Sequence, residues 1–282
     1  MTLASRVQES QLKTLRLMGR AIEFDAEPDD SYLETMSSEG PVDLQPIFET
    51  FCTAGRDVID VGANIGITAA MAGVMASPGR VIAIEPVPAT FGHLEGNLRR
   101  SGLTNVVAVR AAASEEAGEV SLVVRPRFGF AAFVGYEGVL NRYEEYAEFS
   151  APARPVDSLV EEFGLEDVGF IKIDTEGYEL EVLRGSGATL DRCQPVVFLE
   201  ANNYCLNIFR RKSLVDFTEE ILARFPVVCA VDTQFAILDL TNESKHSDFF
   251  HENVVNGRFP NLLCGFSDRV RDGLSQMGAT FV

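Results

Sequence analysis

Short apolar runs alternate with helical stretches along residues 57–200. This alternation is typical of βαβ units and predicts a mostly parallel sheet flanked by helices. The predicted strands are nearly continuous in Val and Ile, as strands covered on both faces should be. Strands are predicted at 57–61, 80–85, 106–111, 169–174 and 196–200, and helices at 67–76, 88–101 and 177–190.

The two flanks of this region follow other patterns. Residues 1–56 are predicted to form a helical extension ahead of a domain at 57–282, because Val7, Leu12, Leu15 and Ile22 suggest one apolar stripe. Beyond residue 200 a helix is predicted at about 214–225. It is followed by a hairpin of two runs at 227–231 and 235–240, and by a run at 261–266 expected at the sheet edge.

Composition narrows the classes of function. The 282 residues carry a formal net charge of −18, which opposes a partner held mainly by phosphate charge, such as a nucleic acid. No apolar run is long enough to span a bilayer, so no membrane partner is expected. The five cysteines are scattered and odd in number, which favours a reducing compartment and a cytoplasmic location.

The turn after the first predicted strand has the composition of a ligand-binding loop. Gly62 and Gly66 allow a sharp turn and close approach of a ligand to the backbone. Asn64 stands where a dinucleotide-binding loop has its second glycine, and Asp60 before the loop would repel a pyrophosphate. Glu85 ends the next strand about 20 residues on, where an acid binds ribose hydroxyls. The pair of acids predicts an adenosyl ligand without phosphates, and S-adenosylmethionine fits.

Three segments resemble the FkbM family of S-adenosylmethionine-dependent methyltransferases. They are VIDVGANIG at 58–66, IEPVP at 84–88 and IKIDTEGYE at 171–179, extended by EVLRG at 181–185 and FLE at 198–200. The resemblance implies a Rossmann-like class I methyltransferase fold with a mostly parallel seven-stranded sheet. It also implies methylation of hydroxyl groups on sugars or natural products. The expected cofactor-binding residues are Asp60, Gly62, Ala63, Asn64, Gly66, Glu85, Pro86 and Asp174.

Candidate catalytic residues follow the fourth predicted strand. Asp174 and Glu176 are close enough to separate their pKa values, which would make one of them a base for the acceptor hydroxyl. The alternative is structural, with Glu176 capping the next helix and Asp174 stabilising the turn. His251 is a further candidate base in a segment expected to be irregular. Lys172, in an otherwise apolar strand, is expected to pair with a carboxylate.

A metal site is a second interpretation of the same strand ends. Asp174 and Glu200 end neighbouring strands, and Asn202 follows shortly after. Because adjacent strands lie about 5 Å apart, their oxygens are candidates to bind a hard cation such as Mg²⁺. The cation would orient the acceptor hydroxyl and lower its pKa.

Residues 125–150 form an expected insertion rich in Gly and aromatic residues. This composition suits a lid over an acceptor pocket, with a packed sub-core or a subunit contact as the alternative. Its basic residues are expected to be solvated, with binding of an anionic acceptor as the alternative. The aromatic residues are Phe128, Phe130, Phe133, Tyr136, Tyr143 and Tyr146, and the basic residues are Arg125, Arg127 and Arg142.

These observations predict an O-methyltransferase acting on a small hydroxylated molecule, a sugar or a natural-product intermediate. The alternative is a non-catalytic protein that binds S-adenosylmethionine on the same fold. A nicotinamide-dependent oxidoreductase is excluded by the missing glycine at Asn64. Association with a second copy of the chain is left open.

Overall fold

The computed structural model describes residues 11–28, 30–124, 132–134 and 147–282. The first half contains β1 (Gln11–Leu17), β2 (Arg20–Ala26), α1 (Ser31–Thr35), α2 (Gln45–Phe51), β3 (Asp57–Val61), α3 (Ile67–Ala76), β4 (Val81–Ile84), α4 (Pro88–Ser101), β5 (Val106–Val109), β6 (Ala112–Ala113), β7 (Gly118–Val124), β8 (Ala132–Val134) and β9 (Ala147–Arg154). The second half contains α5 (Val156–Glu162), β10 (Val168–Ile173), α6 (Glu179–Arg184), α7 (Gly187–Cys193), β11 (Val196–Glu200), α8 (Asn203–Arg210), α9 (Leu214–Arg224), β12 (Val227–Val231), β13 (Ala236–Asp239), α10 (His246–Asn256), β14 (Asn261–Gly265), α11 (Arg269–Gln276) and β15 (Thr280–Phe281).

The main sheet has the strand order β15-β13-β12-β14-β11-β10-β3-β4-β5 among the described residues. The neighbouring strands β5, β4, β3, β10 and β11 run parallel to one another. In contrast, β14 runs antiparallel to both of its neighbours, β11 and β12. Successive residues point to opposite faces of such a sheet. Accordingly, Ile59 and Ile171 belong to the core on one face, and Val58 and Phe170 to the core on the other. Helices cover both faces, which confirms the predicted α/β class and the mostly parallel sheet.

Two expectations about the sheet are wrong. The sheet has nine strands rather than seven, since β13 and the two-residue β15 extend it. The run expected at the sheet edge is β14, which lies between β11 and β12. Its apolar residues are buried on both faces of the sheet. Such burial is typical of a strand in the interior of a sheet, which has a neighbouring strand at each edge. Among the described residues, a separate four-stranded sheet has the order β6-β9-β7-β8.

The predicted N-terminal helical extension is also wrong over residues 11–26. This segment is the hairpin β1–β2, which turns at Met18 and Gly19, both with positive φ. The side chains of Leu15, Leu17, Ile22 and Phe24 are buried with a period of two. Leu12, Leu15 and Ile22 are three and seven residues apart, which imitates a helical stripe and explains the error. Leu12 is largely exposed, and Val7 lies outside the described residues.

The hairpin packs on the main sheet as part of one core. Leu15 and Phe24 share a hydrophobic cluster with Phe48 of α2 and Phe170 of β10. The predicted lid at about 125–150 falls mostly outside the described residues and stays a prediction. No helix in the described ranges combines the length and the apolar character needed to cross a membrane.

One buried amide joins the hairpin to the main domain. The side-chain oxygen of Asn97, in α4, accepts a hydrogen bond from the Asp25 backbone N–H at 2.8 Å. Its amide nitrogen donates to the carbonyl oxygens of Asp25, at 2.9 Å, and of Ile65, at 2.8 Å. Because Ile65 belongs to the loop after β3, Asn97 connects this loop to β2 and α4.

We predict that Asn97→Ala lowers the free energy of unfolding by about 2–4 kcal/mol, because it leaves buried backbone groups without partners. Urea titration measures the change. Asn207→Ala, at an exposed position of α8, is the matched control and should have little effect. An unchanged stability of Asn97→Ala would show that these hydrogen bonds do not hold the hairpin in place.

Candidate active site

A cavity of about 440 Å³ lies at the carboxyl ends of the central parallel strands. Its volume is within the range of about 300–1,000 Å³ found for small-molecule sites. The loop after β3 contributes Gly62, Ala63 and Asn64 to its lining, and the segment after β4 contributes Glu85 and Pro86. The cavity is also lined by Asp174 and Glu176, which follow β10, and by Glu200 of β11.

The loop after β3 is held directly against the turn after β10. Gly62 has a φ of +74°, and a Cβ atom at this position would lie 1.8 Å from the carbonyl oxygen of Asp174. The Asp174 N–H in turn donates to the carbonyl oxygen of Val61 at 3.1 Å. Only glycine fits this contact. The contact holds the loop after β3 directly against the turn after β10.

Glu85 fastens the same loop from the other side. One carboxylate oxygen accepts the N–H of Asn64 at 3.1 Å, and the other accepts the N–H of Val87 at 2.9 Å. Burial raises the pKa of Glu85 to about 7, and these two hydrogen bonds act in the opposite direction. Each carboxylate oxygen can accept a second hydrogen bond, so Glu85 retains capacity for hydroxyl groups of a ligand.

Lys172 lies beneath the loops as a buried cation. Its Nζ is 3.4 Å from Asp60 Oδ1 and 3.4 Å from Asp174 Oδ2, and it donates to the carbonyl oxygen of Gly62 at 2.8 Å. Burial alone would lower the pKa of Lys172, but the two carboxylates raise it above its ordinary value. The expected pairing of Lys172 with a carboxylate is therefore confirmed.

Two of the predicted cofactor-binding residues do not line the cavity. Asp60 is fully buried, and its Oδ2 accepts a hydrogen bond from the Thr68 hydroxyl at 2.7 Å. Gly66 precedes α3, where a Cβ would lie 2.7 Å from Cδ1 of Leu94. Asp60 thus positions Lys172, and Gly66 allows α3 and α4 to pack closely. The other predicted residues, Gly62, Ala63, Asn64, Glu85, Pro86 and Asp174, all line the cavity.

Glu176 has a different role from the cap considered above. Its φ of +55° turns its side chain toward α8, where Oε2 accepts a hydrogen bond from the Cys205 thiol at 2.9 Å. Burial, followed by the negative charge of Asp174, raises the pKa of Glu176. Glu179 instead holds the turn ahead of α6, because its Oε1 accepts the N–H groups of Thr175 and Gly177 at 3.0 and 3.1 Å.

One of the predicted metal ligands, Asn202, already has protein partners. It caps α8, since its Oδ1 accepts the N–H of Cys205 at 3.2 Å while its Nδ2 donates to Glu200 Oε1 at 3.4 Å. Within the described part of the chain, no group of three or more His, Cys, Asp or Glu side chains is placed to hold a metal ion. The set of Asp174, Glu200 and Asn202 stays a prediction, and no catalytic step is assigned to a cation.

The structure does not bring His251 to the cavity. The segment expected to be irregular is the helix α10, and His251 is exposed on it without lining the cavity. Apolar residues recur along this segment with helical spacing, and Phe249 among them is buried in the core.

The N-terminal segment contributes a wall that sequence reasoning missed. Tyr32 and Thr35 of α1 line the cavity, and 36% of the Tyr32 surface stays accessible. Asp30 caps α1 by accepting the N–H groups of Tyr32 and Leu33 at 2.8 and 3.1 Å. Burial raises the pKa of Tyr32 to about 12, so its hydroxyl keeps its proton. The sequence Asp30-Ser31 before an apolar residue was the available signal for this helix.

Comparison with known proteins decides the family. The family model described as the methyltransferase FkbM domain matches residues 60–224, more than half of the chain. The chain belongs to the FkbM methyltransferase family. The match contains the loops that carry Gly62, Glu85 and Asp174, and it excludes the segment that carries Tyr32.

Two curated methyltransferases match part of the chain. The hexuronic acid methyltransferase AglP of Haloferax volcanii is 33% identical over 126 residues, which is 45% of this chain and 48% of that protein. Methyltransferase sdnD of Sordaria araneosa is 26% identical over 153 residues, 45% of this chain and 59% of that protein. The chain thus matches about half of the length of these relatives.

Among solved structures, the methyltransferase FkbM of Methylobacillus flagellatus KT is 25% identical to this chain. The alignment covers 61% of this chain and 38% of that one, with a TM-score of 0.41.

We predict that Lys172→Met lowers the free energy of unfolding by about 3–5 kcal/mol, because it leaves the buried Asp60 carboxylate without its cation. The double variant Lys172→Met/Asp60→Asn should recover much of this loss. Chemical denaturation of both variants measures the two effects. Equal stabilities of the single variant and the wild type would contradict the role of this ion pair.

A second prediction concerns Glu179. Burial raises the pKa of Glu179 to about 7 in the folded protein, against hydrogen bonds from its own N–H and those of Gly177 and Thr175. Because the folded pKa exceeds the unfolded value, the stability that protonated Glu179 contributes is lost as pH rises from about 4.5 through 7.

Glu179→Gln keeps the accepting oxygen without the titration, so its stability should fall less between pH 5 and pH 8 than that of the wild type. Denaturation across this pH range measures the difference. The same slope in both proteins would show that Glu179 titrates outside this window.

Proposed function

We propose that this FkbM-family methyltransferase uses S-adenosylmethionine to methylate a hydroxyl group of a small molecule, a sugar or a natural-product intermediate. The observation that carries the proposal is the cavity in which Glu85 and the Gly62–Asn64 loop face Asp174 and Glu176. Family membership supports methyl transfer, and the lining residues support the choice of cofactor and of hydroxyl chemistry.

The charge of the cavity fits a positively charged nucleoside. Glu85, Asp174, Glu176 and Glu200 line it, and Lys172 is already paired with Asp60 and Asp174. A pyrophosphate would meet repulsion here, whereas a sulfonium or an ammonium would be attracted. Glu85 would hold the ribose hydroxyls, and the backbone of the Gly62–Asn64 loop would lie against the remainder of the cofactor.

Glu176 is the proposed base for the acceptor hydroxyl. When bound, S-adenosylmethionine supplies a methyl group that is already strongly electrophilic, so the protein has to align the acceptor and remove its proton. Burial and the charge of Asp174 raise the pKa of Glu176, which makes it a stronger base than an exposed carboxylate, and the carboxylate oxygen that Cys205 does not occupy would accept the proton. Asp174, held by Lys172 at 3.4 Å, would orient the hydroxyl.

The cofactor assignment predicts selective binding that depends on Glu85. Calorimetry should show binding of S-adenosylmethionine and none of NAD. Glu85→Gln should weaken the first by about tenfold or more, since hydrogen bonds to a charged group contribute about 1.5–3 kcal/mol. Glu95→Gln, exposed on α4, is the matched control. Equal affinity of Glu85→Gln and the wild type would contradict this cofactor placement.

The assignment of the base predicts a selective loss of turnover. Glu176→Gln should lower kcat by about 10²–10⁴-fold without changing the dissociation constant of S-adenosylmethionine. A panel of hydroxylated acceptors provides the assay, and the exposed Glu219→Gln provides the control. Binding of the cofactor without turnover of any acceptor would instead support the non-catalytic alternative. Full activity of Glu176→Gln would remove this residue from the mechanism.

A further inference from the structure

The cavity has two chemically different ends. Glu85 and the Gly62–Asn64 loop mark the end at β3 and β4, where the proposed nucleoside lies. Asp174, Glu176 and Glu200 mark the other end, at β10 and β11. Since β3, β10 and β11 are consecutive neighbours in the sheet, this second end lies directly beside the cofactor loop. An acceptor bound at this end would therefore lie beside these three acids.

All three acids at this end can act on a bound molecule. The Asp174 side chain is 48% exposed, and Glu176 and Glu200 are each partly exposed. Asn202 donates only a long hydrogen bond, of 3.4 Å, to Glu200, and the second oxygen of Glu200 accepts none from the described residues. Burial, then the charges of Asp174 and Glu176, hold the pKa of Glu200 well above its ordinary value. The acids thus already repel one another.

No cation among the described lining residues offsets these charges for an acceptor. Lys172 is the one basic residue in that set, and only 4% of its side chain is exposed. Its ammonium lies between Asp60 and Asp174 and donates to Gly62, so its charge is already matched by protein groups. An acceptor carboxylate at this end would add a further negative charge without a partner.

We propose that the acceptor end, defined by Asp174, Glu176 and Glu200, selects hydroxylated acceptors without negative charge, neutral or amine-bearing, and rejects acceptors that carry a carboxylate. The inference rests on the proposed function, because it assumes that methyl transfer takes place in this cavity. It separates this chain from an enzyme for uronic acids, even though hydroxylated sugars remain within the acceptor class.

Two matched sets of acceptors test the proposal at pH 8. One set is a hexoside, the corresponding hexuronate and the corresponding aminohexoside. The other is a dihydroxybenzene in neutral, carboxylate-bearing and aminoethyl-bearing forms. Binding to the protein saturated with S-adenosylhomocysteine is measured by calorimetry, and kcat/KM is measured with S-adenosylmethionine. We expect the carboxylate-bearing member of each set to be at least about tenfold worse in both measurements.

Glu200→Gln links this selectivity to the acceptor end. It replaces an ionisable carboxyl group with a neutral amide at nearly constant volume and should raise kcat/KM for the carboxylate-bearing member by about tenfold relative to the neutral one. Glu219→Gln should leave that ratio unchanged. A ratio equally unchanged in Glu200→Gln would overturn the role of Glu200, and its thermal unfolding midpoint shows whether the variant is folded.

The outcomes distinguish a failure of the proposed function from a failure of the inference about the acceptor. A chain that fails to bind S-adenosylmethionine contradicts the proposed function. A chain that binds the cofactor but prefers the carboxylate-bearing members, or binds no member of either set, contradicts the inference about the acceptor.

Discussion

The candidate active site depends on a buried ammonium group. Lys172 lies at the junction of β3 and β10, within 3.4 Å of Asp60 and of Asp174, and it donates to the carbonyl oxygen of Gly62. A charge at this depth is stable only when its partners are fixed around it. The same requirement fixes the loop after β3 against the turn after β10, so one interaction aligns two walls of the cavity.

The arrangement also explains why the acids of the site are not equivalent. Asp60 and Asp174 share Lys172, while Glu176 and Glu200 form no ion pair with a cation of the described residues. Burial, followed by the negative charge of Asp174, raises the pKa of Glu176 and of Glu200, whereas Asp174 is paired with a cation. Position relative to one lysine thus separates the orienting acid from the proposed base.

The central sheet and most of the cavity-lining residues after β3 and β4 could be predicted from the sequence, because they follow local patterns. β3, β11, α3 and α4 have the predicted bounds, since continuous Val and Ile runs and a Pro at the start of α4 are local signals. The position of Asp60 beneath the cavity could not be predicted, because it depends on Lys172, more than 100 residues away.

The errors share a physical cause. The hairpin β1–β2 and the helix α10 were each assigned the wrong structure because tertiary packing, rather than local propensity, decides which residues of a short apolar pattern are buried. Tyr32 was missed for the same reason, as it reaches the cavity only through the packing of the hairpin and α1 on the sheet. Resemblance to a family could not reveal it, because the matched region begins at residue 60.

The most direct test of the account is a crystal structure of the chain with S-adenosylhomocysteine. The account predicts ribose hydroxyls on the Glu85 carboxylate, the adenosyl group along the Gly62–Asn64 loop, and the sulfur atom facing Asp174 and Glu176. A ligand bound elsewhere, or bound with its sulfur atom directed away from both acids, would contradict the account.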